Sequence, residues 1–226
     1  MARRTKEEAQ ATRVQILDAA ERVFHAQGVS RASLAEVAKE AGVSRGAIYW
    51  HFENKIDLFQ AMLERLRLPL EELARASESE DEPDPLGCMR ELLIKALTRL
   101  ACEPQTHRTH DILRYKCEYT GELLGLRERM QALSLECDQR IAKALSNAVN
   151  KGQLPSDLDC ARAAVCLHAY MEGIESNWLL VPNFDLAQQA PALVDTVLDM
   201  LRSPALRLMT GCQMPGEVGC AVRTEG

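Results

Sequence analysis

The sequence predicts an all-α protein, with a small N-terminal three-helix head built around a helix-turn-helix and a larger helical bundle behind it. Three observations carry this. Aromatics are only 4% of the 226 residues while Leu, Ala, Glu and Arg are plentiful, and unbranched side chains lose little rotamer freedom in a helix. Apolar residues recur at helical spacing along most of the chain. Capping residues and glycines punctuate those runs, closely at first and then far apart.

The first helix is placed over Glu7–Gln27, where Ile16, Ala19, Ala20, Val23 and Phe24 share one face and Gly28 ends the run. Ser33-Leu34-Ala35-Glu36 is a capping box for a second helix reaching about Ala41. Gly42 can enter the left-handed conformation that a tight turn needs, and Ser44 caps a third helix, Arg45 to His51. Its Ile48 and Phe52 anchor inward, which leaves Ser44, Arg45, Gly46, Tyr49 and Trp50 to face out. Asn54 caps a fourth helix through Leu58, Phe59, Met62, Leu63 and Leu66, a connecting helix assigned to residues 55–76. The acidic stretch Glu78 to Pro85 has nothing apolar to bury and is expected to be a solvated linker. Helices follow near 85–102, 104–119, 122–151, 159–181 and 186–202, separated by Pro104, Gly121, Gly152/Pro155 and Pro182. From about Arg207 the periodicity stops, and residues 207–226 are expected to be a disordered tail.

The net charge of −6 argues against a polyanion binder, because such affinity rests on Lys and Arg neutralising phosphates. Its distribution reverses that: residues 1–55 sum to +2 and the remainder to −8. No apolar run approaches the roughly 18 residues that a membrane span requires, and Met1-Ala2-Arg3-Arg4-Thr5-Lys6 leads into acidic residues. A cytoplasmic protein without membrane association is expected. Eight cysteines are present without a C-x-x-C pair, which implies reduced packing residues and neither a zinc site nor a disulfide scaffold.

The run Gln15 to Ala20 with Phe24 and Gly28-Val29, then Leu34 to Ala38, then Ala41 to Phe52 and Lys55, resembles the DNA-binding head of the TetR family of repressors. The opening Arg3 to Gln10, the Arg45 to Phe52 block, Asp84-Pro85-Leu86 and Lys116-Cys117-Glu118 are further similar to the AcrR/TtgR-like subgroup of multidrug efflux regulators, to about Leu206. The resemblance implies a head over residues 1–54 and a ligand-binding and dimerisation domain over 55–206. Operator DNA would be the partner, with Ser33, Ser44, Arg45, Gly46, Tyr49, Trp50, His51 and Lys55 as contacts. A major groove admits the start of a recognition helix, where Gly46 allows close approach and Arg45 can reach guanine or phosphate. For Phe52, core packing is the stronger reading; for Trp50, core and contact weigh equally. Arg3, Arg4 and Lys6 are read either as an arm near phosphates or as a charged terminus.

In a helical body every Leu and Met is core first, so a pocket must be sought where polar residues sit among apolar ones. His110 and Arg114 share a helix face, as do Cys137 and Ile141. By the resemblance, a pocket for small hydrophobic or aromatic effectors is lined by Leu66, Met89, Leu92, Leu93, Ala96, His110, Leu113, Arg114, Cys137, Ile141, His168, Met171, Glu172 and Glu175. Ala164, Leu167, Tyr170, Ile174 and Trp178 with Leu193, Val197, Met200 and Leu201 are expected to form a four-helix homodimer face. Together these imply a ligand-responsive repressor of an efflux operon that binds a pseudo-palindromic operator, with no cofactor and no metal. Two other readings compete. An enzyme would need Cys117, His110 and Asp111 to converge. A thiol-based redox-sensing repressor would need a reactive Cys117 or Cys137 near Arg114.

Overall fold

The structure is a computed structural model that describes residues 6–118 and 123–208. The described residues form α1 (Lys6–Gln27), α2 (Leu34–Glu40), α3 (Arg45–His51), α4 (Lys55–Arg67), α5 (Glu71–Glu78), α6 (Pro85–Cys102), α7 (Pro104–Tyr115), α8 (Leu124–Asn150), α9 (Cys160–Leu180) and α10 (Leu186–Met200). Short 3-10 turns lie at Leu68–Leu70 and Pro204–Leu206.

The head forms for the local reasons its sequence states. Gly28 and Gly42 take positive φ (83° and 65°) and end the first two helices of the head. The capping box closes in both directions, with Ser33 Oγ accepting from Glu36 N at 3.2 Å and Ser33 N donating to Glu36 Oε2 at 2.8 Å. Ser44 and Asn54 cap α3 and α4 by their side chains alone, accepting from Ala47 N at 3.1 Å and Asp57 N at 2.9 Å, which satisfies backbone donors that the first turn would leave orphaned.

The connecting helix is shorter than expected. It stops at Arg67, because Pro69 has no N–H to continue the ladder and its ring crowds the preceding turn. A 3-10 turn passes the chain to α5 instead. The acidic stretch is likewise not a free linker. Glu78 accepts from Arg140 Nε of α8 at 2.6 Å, and Asp84 caps α6 through Gly87 N at 2.8 Å while accepting from Gln153 at 2.6 Å. Helix α7 ends four residues early, at Tyr115, and the Lys116 carbonyl turns to accept from Val29 N of the head at 3.0 Å. Arg207 and Leu208 are ordered, against expectation: Arg207 forms a β-bridge with Leu158, and Leu208 N donates to Asp157 O at 2.7 Å. The rest of the expected tail, 209–226, and the basic pair Arg3 and Arg4 lie outside the described residues.

Two cores result. The first holds Ile16, Phe24, Val37, Ile48, Phe52, Phe59 and Met62, and it continues into the body through Ile112, Leu123 and Leu126. The second is the bundle core of α6, α8, α9 and α10, around Leu97, Leu145, Ala164, Leu167 and Val194. This corrects the expected dimer face. Ala164, Leu167, Trp178, Val197 and Leu201 are buried inside this chain, and Tyr170, Ile174 and Leu193 pack on the same core. Of that set only Met200 is exposed; the outer face of α9 instead carries Val165, Cys166, Ala169 and Leu180.

Candidate functional site

At the head, α3 has an apolar inner side and an open outer side. Ile48 and Phe52 are sealed, Arg45 and Gly46 are exposed, and Tyr49 and Trp50 are 59% and 70% exposed. Trp50 is thus no core residue. Its ring meets His51 edge-on at 4.5 Å, and the Arg13 guanidinium lies 5.1 Å from the Phe52 ring on the inner side. A groove of about 650 Å³ runs beside them, lined by Tyr49, Trp50, His51, Phe52, Glu53, Asn54, Ile56, Asp57 and Gln60. Two of the expected contacts have structural work as well. The Ser33 hydroxyl also donates to Glu36 Oε2 at 2.7 Å, and the Lys55 ammonium donates to the Ser30 and Ala32 carbonyls at 3.0 Å each, which fixes the α1–α2 loop.

In the body the structure gathers the polar candidates into one network. Arg114 Nη2 donates to Glu172 Oε1 at 3.0 Å and lies 3.7 Å from Glu175, which is 3.5 Å from His110 Nδ1. His168 Nδ1 is 2.7 Å from Asp138 Oδ1, and its Nε2 lies 3.8 Å from Glu172 Oε1. Cys137, helped by Asp138 and Glu172 and opposed by burial, pushes the His168 pKa up to about 9. Asp138 is a member that the sequence reading missed. Among the apolar candidates Met89 and Met171 are buried in the bundle core, Leu93 and Ile141 pack against it, and Leu92 and Ala96 are half-buried on α6. Leu113 goes to the head core instead, and Leu66, half-buried, offers its carbonyl to Arg99 at 3.0 Å. A second groove, of about 660 Å³ between α5 and α6, is lined by Glu72, Leu73, Ala76, Glu91, Ile94, Lys95, Thr98 and Arg99, none of them a candidate.

Helix α7 ties this network to the head. One side carries His110 and Arg114 toward α9. The other carries Gln105 to Asp18 (3.1 Å), Arg108 to Glu21 (2.6 Å) and Asp111 to His25 (3.1 Å), all on α1. Glu21 is 1% exposed and also accepts from Arg65 of α4 at 3.1 Å. No sequence signal marked Glu21, Arg65 or Arg108, because pairs this distant in the chain have no periodicity. The enzyme reading fails here: His110 pairs with Glu175, Asp111 with His25 and Lys116, and Cys117 packs on the head core.

The comparisons agree with this division of labour. Residues 16–62 match the model described as bacterial regulatory proteins, tetR family, and residues 84–203 match the MAATS-type transcriptional repressor, C-terminal region. The chain is 54% identical over 209 residues to the HTH-type transcriptional regulator TtgR of Pseudomonas putida, covering 92% of this chain and 100% of that one. The chain belongs to the TetR family. Other TetR-family relatives include the HTH-type transcriptional regulator AcrR of Shigella flexneri, 42% identical over 209 residues, 92% of this chain and 97% of that one. Among solved structures, NalD, the secondary repressor of the MexAB-OprM multidrug efflux pump in Pseudomonas aeruginosa, superposes with a TM-score of 0.74 at 35% identity, covering 86% of this chain and 97% of that one. SmeT in complex with triclosan does so with a TM-score of 0.76 at 34% identity, covering 84% and 91%. These relatives are transcriptional regulators and not enzymes. Among the described residues no helix is long and apolar enough to cross a membrane, and no group of three or more His, Cys, Asp or Glu side chains forms a metal site.

Proposed function

We propose that this chain is a cytoplasmic, ligand-responsive transcriptional repressor that binds a pseudo-palindromic operator as a homodimer and controls a multidrug or solvent efflux operon. The observation that carries this reading is the outer side of α3, where Arg45, Gly46, Tyr49 and Trp50 stand open on a helix anchored by Ile48 and Phe52. Residues 1–54 act as the reading head and 55–206 as the effector and dimerisation domain. Ser44 and His51 flank the open face, and Ser33 and Lys55 support it through the caps and carbonyls they hold. The names of the relatives, repressors of multidrug efflux pumps among them, support the target class.

Hydrophobic or aromatic compounds release the operator in this reading, and a structure of a relative bound to triclosan supports that ligand class. An effector between α7, α8 and α9 competes with the Arg114–Glu172 and His110–Glu175 contacts, and α7 passes the change to α1 through Arg108 and Gln105. A ligand can shift the heads only by binding the release-competent arrangement more tightly. A coupling of about 1–3 kcal/mol changes operator affinity about 5–150-fold.

The test is competition between a selected palindromic duplex and random duplex, followed by fluorescence anisotropy across salt concentrations. A steep salt slope and preference for the palindrome are expected, with Arg45→Ala costing about 1–3 kcal/mol at one base position. Lys55→Ala should weaken every duplex and also lower the melting temperature, since its ammonium holds the Ser30 and Ala32 carbonyls. Equal affinity for both duplexes rejects the repressor reading.

A further inference from the structure

Head and body meet along one line, where the last two turns of α1 run beside the second half of α7. Glu21 accepts from Arg108 Nε at 2.6 Å, His25 Nε2 lies 3.1 Å from Asp111 Oδ2, and Val29 N donates to the Lys116 carbonyl at 3.0 Å. Glu21, His25 and Val29 follow at four-residue intervals, so the three contacts succeed one another along the joint. The fit is close: Gly28 has a φ of +83°, and a Cβ on it would stand 3.3 Å from Lys116 O. An arginine keeps its charge and a backbone pair has none to lose, so His25 is the member of this line that titrates near neutral pH.

The surroundings of His25 favour its neutral ring. Facing it from α7 and the residue beyond are Lys116, Arg108 and His107, with Asp111 the one acid among them. Lys116 Nζ is 3.4 Å from the same Asp111 oxygen, so that carboxylate already has a cation. The charged groups on the other sides are engaged elsewhere: Glu21 and Asp18 hold Arg65 of α4, and Arg22 holds Glu40 of α2. Burial first, and then the Lys116 charge, hold the His25 pKa below its ordinary 6.5, against the pull of Asp111. With its side chain 37% exposed, His25 still exchanges protons with solvent.

We propose that His25 makes the α1–α7 line a proton-sensitive latch between head and body. Neutral, with its proton on Nε2, the ring donates to Asp111 and holds the end of α1 against α7. Protonated, it is a further cation beside Lys116 and Arg108, and the contact loosens. A folded pKa below 6.5 means that the latch contributes fully above about pH 6.5 and is lost as pH falls through the folded value. Helix α7 carries His110 and Arg114 on its other side, toward Glu175 and Glu172 of α9. A loosened latch therefore disconnects that network from the head, and acid should weaken an effector's hold on operator binding. This last consequence rests on the repressor reading, and the latch itself does not.

The experiment follows amide exchange of the full chain at about pH 5.5 and pH 7.5, corrected for the intrinsic pH dependence of exchange, with the His25 ring titrated by NMR. Protection of the Val29 amide should fall about threefold on acidification, while Ala20, inside α1, keeps its own. His25→Gln keeps a donor for Asp111 but cannot ionise, and should remove the pH dependence. A wild-type Val29 amide that ignores pH, a variant that keeps the full dependence, or a His25 ring that titrates at or above 6.5 overturns the proposal. If His25→Gln does not fold, the wild-type exchange and the ring titration decide alone. With triclosan as the probe, the fold loss of operator affinity that it causes should shrink about threefold on the same acidification, and not in His25→Gln. An equal response at both pH values overturns the signalling role. A chain that binds no operator rejects the repressor reading, one whose operator binding ignores triclosan rejects that effector, and the exchange data still decide the latch.

Discussion

Glu21 is the residue whose loss should most directly loosen the joint between head and body. Its carboxylate is 1% exposed and accepts from Arg65 at 3.1 Å and from Arg108 at 2.6 Å, so one side chain of α1 is held by α4 and α7 together. Breaking a buried ion pair costs about 3–5 kcal/mol when the surviving charge is sealed from water. Here neither arginine is sealed: their side chains are 24% and 38% exposed, and Arg65 keeps Asp18 at 2.7 Å. Glu21→Ala should therefore cost less, about 2–3 kcal/mol, most of it in two charge-assisted hydrogen bonds. At this chain length that is a fall in melting temperature of about 4–12 °C. Glu21→Gln keeps the volume and an acceptor and should lose about half as much. Thermal unfolding followed by circular dichroism measures both, and Arg108→Gln with the double variant closes a cycle whose coupling should be about 1–2 kcal/mol. Strict additivity of the two substitutions, with Glu21→Gln melting within about 1 °C of the parent, would refute the reasoning.

Further outcomes follow from burial and charge. Val197 is 1% exposed in the bundle core, so Val197→Asp should leave an unpaired carboxylate there and cost more than about 3 kcal/mol, seen as loss of the cooperative melt. Val165, 54% exposed on the outer face of α9, should accept Asp with its melt intact, and sedimentation should then show a monomer if that face makes the homodimer. His168 has a folded pKa of about 9 against an ordinary 6.5, so its contribution to stability is complete below about pH 6.5 and is lost as pH rises through about 9. The urea midpoint should fall between pH 7 and 10 by the equivalent of at most about 3 kcal/mol, and His168→Gln should flatten that part of the profile.

What was legible in the sequence was what short-range chemistry decides. Ser33 with Glu36, Ser44, Asn54, Gly28 and Gly42 each act within a few residues, and the end of α1, both ends of α2 and the starts of α3 and α4 follow from them. Pro69 was equally local, but the apolar run through Leu63 and Leu66 invited a longer helix than its ring permits. The failures are of another kind. Helix α9 is apolar on two sides, and periodicity states that Leu167 and Val165 occupy different faces without stating which one meets this chain's own core. The structure gives Leu167 to the core and leaves Val165 outside, the reverse of what the expected dimer face required.

The effector network shows the same limit at the scale of single side chains. Cys137 and His168 were both singled out, yet Asp138 was passed over, because consecutive helical residues point about 100° apart and a search along the face of Cys137 and Ile141 excludes the next position. A side chain on a neighbouring helix obeys no such rule. His168 reaches across from α9 and meets Asp138 of α8 at 2.7 Å, so the chemistry of the site belongs to the gap between helices and not to either helix face. Glu21, Arg65 and Arg108 repeat this geometry at the head, where three helices supply one charge each to a single buried point. Groups that join elements are therefore the ones a single sequence hides best. In this fold they are also the groups through which a change beside α9 could reach α1.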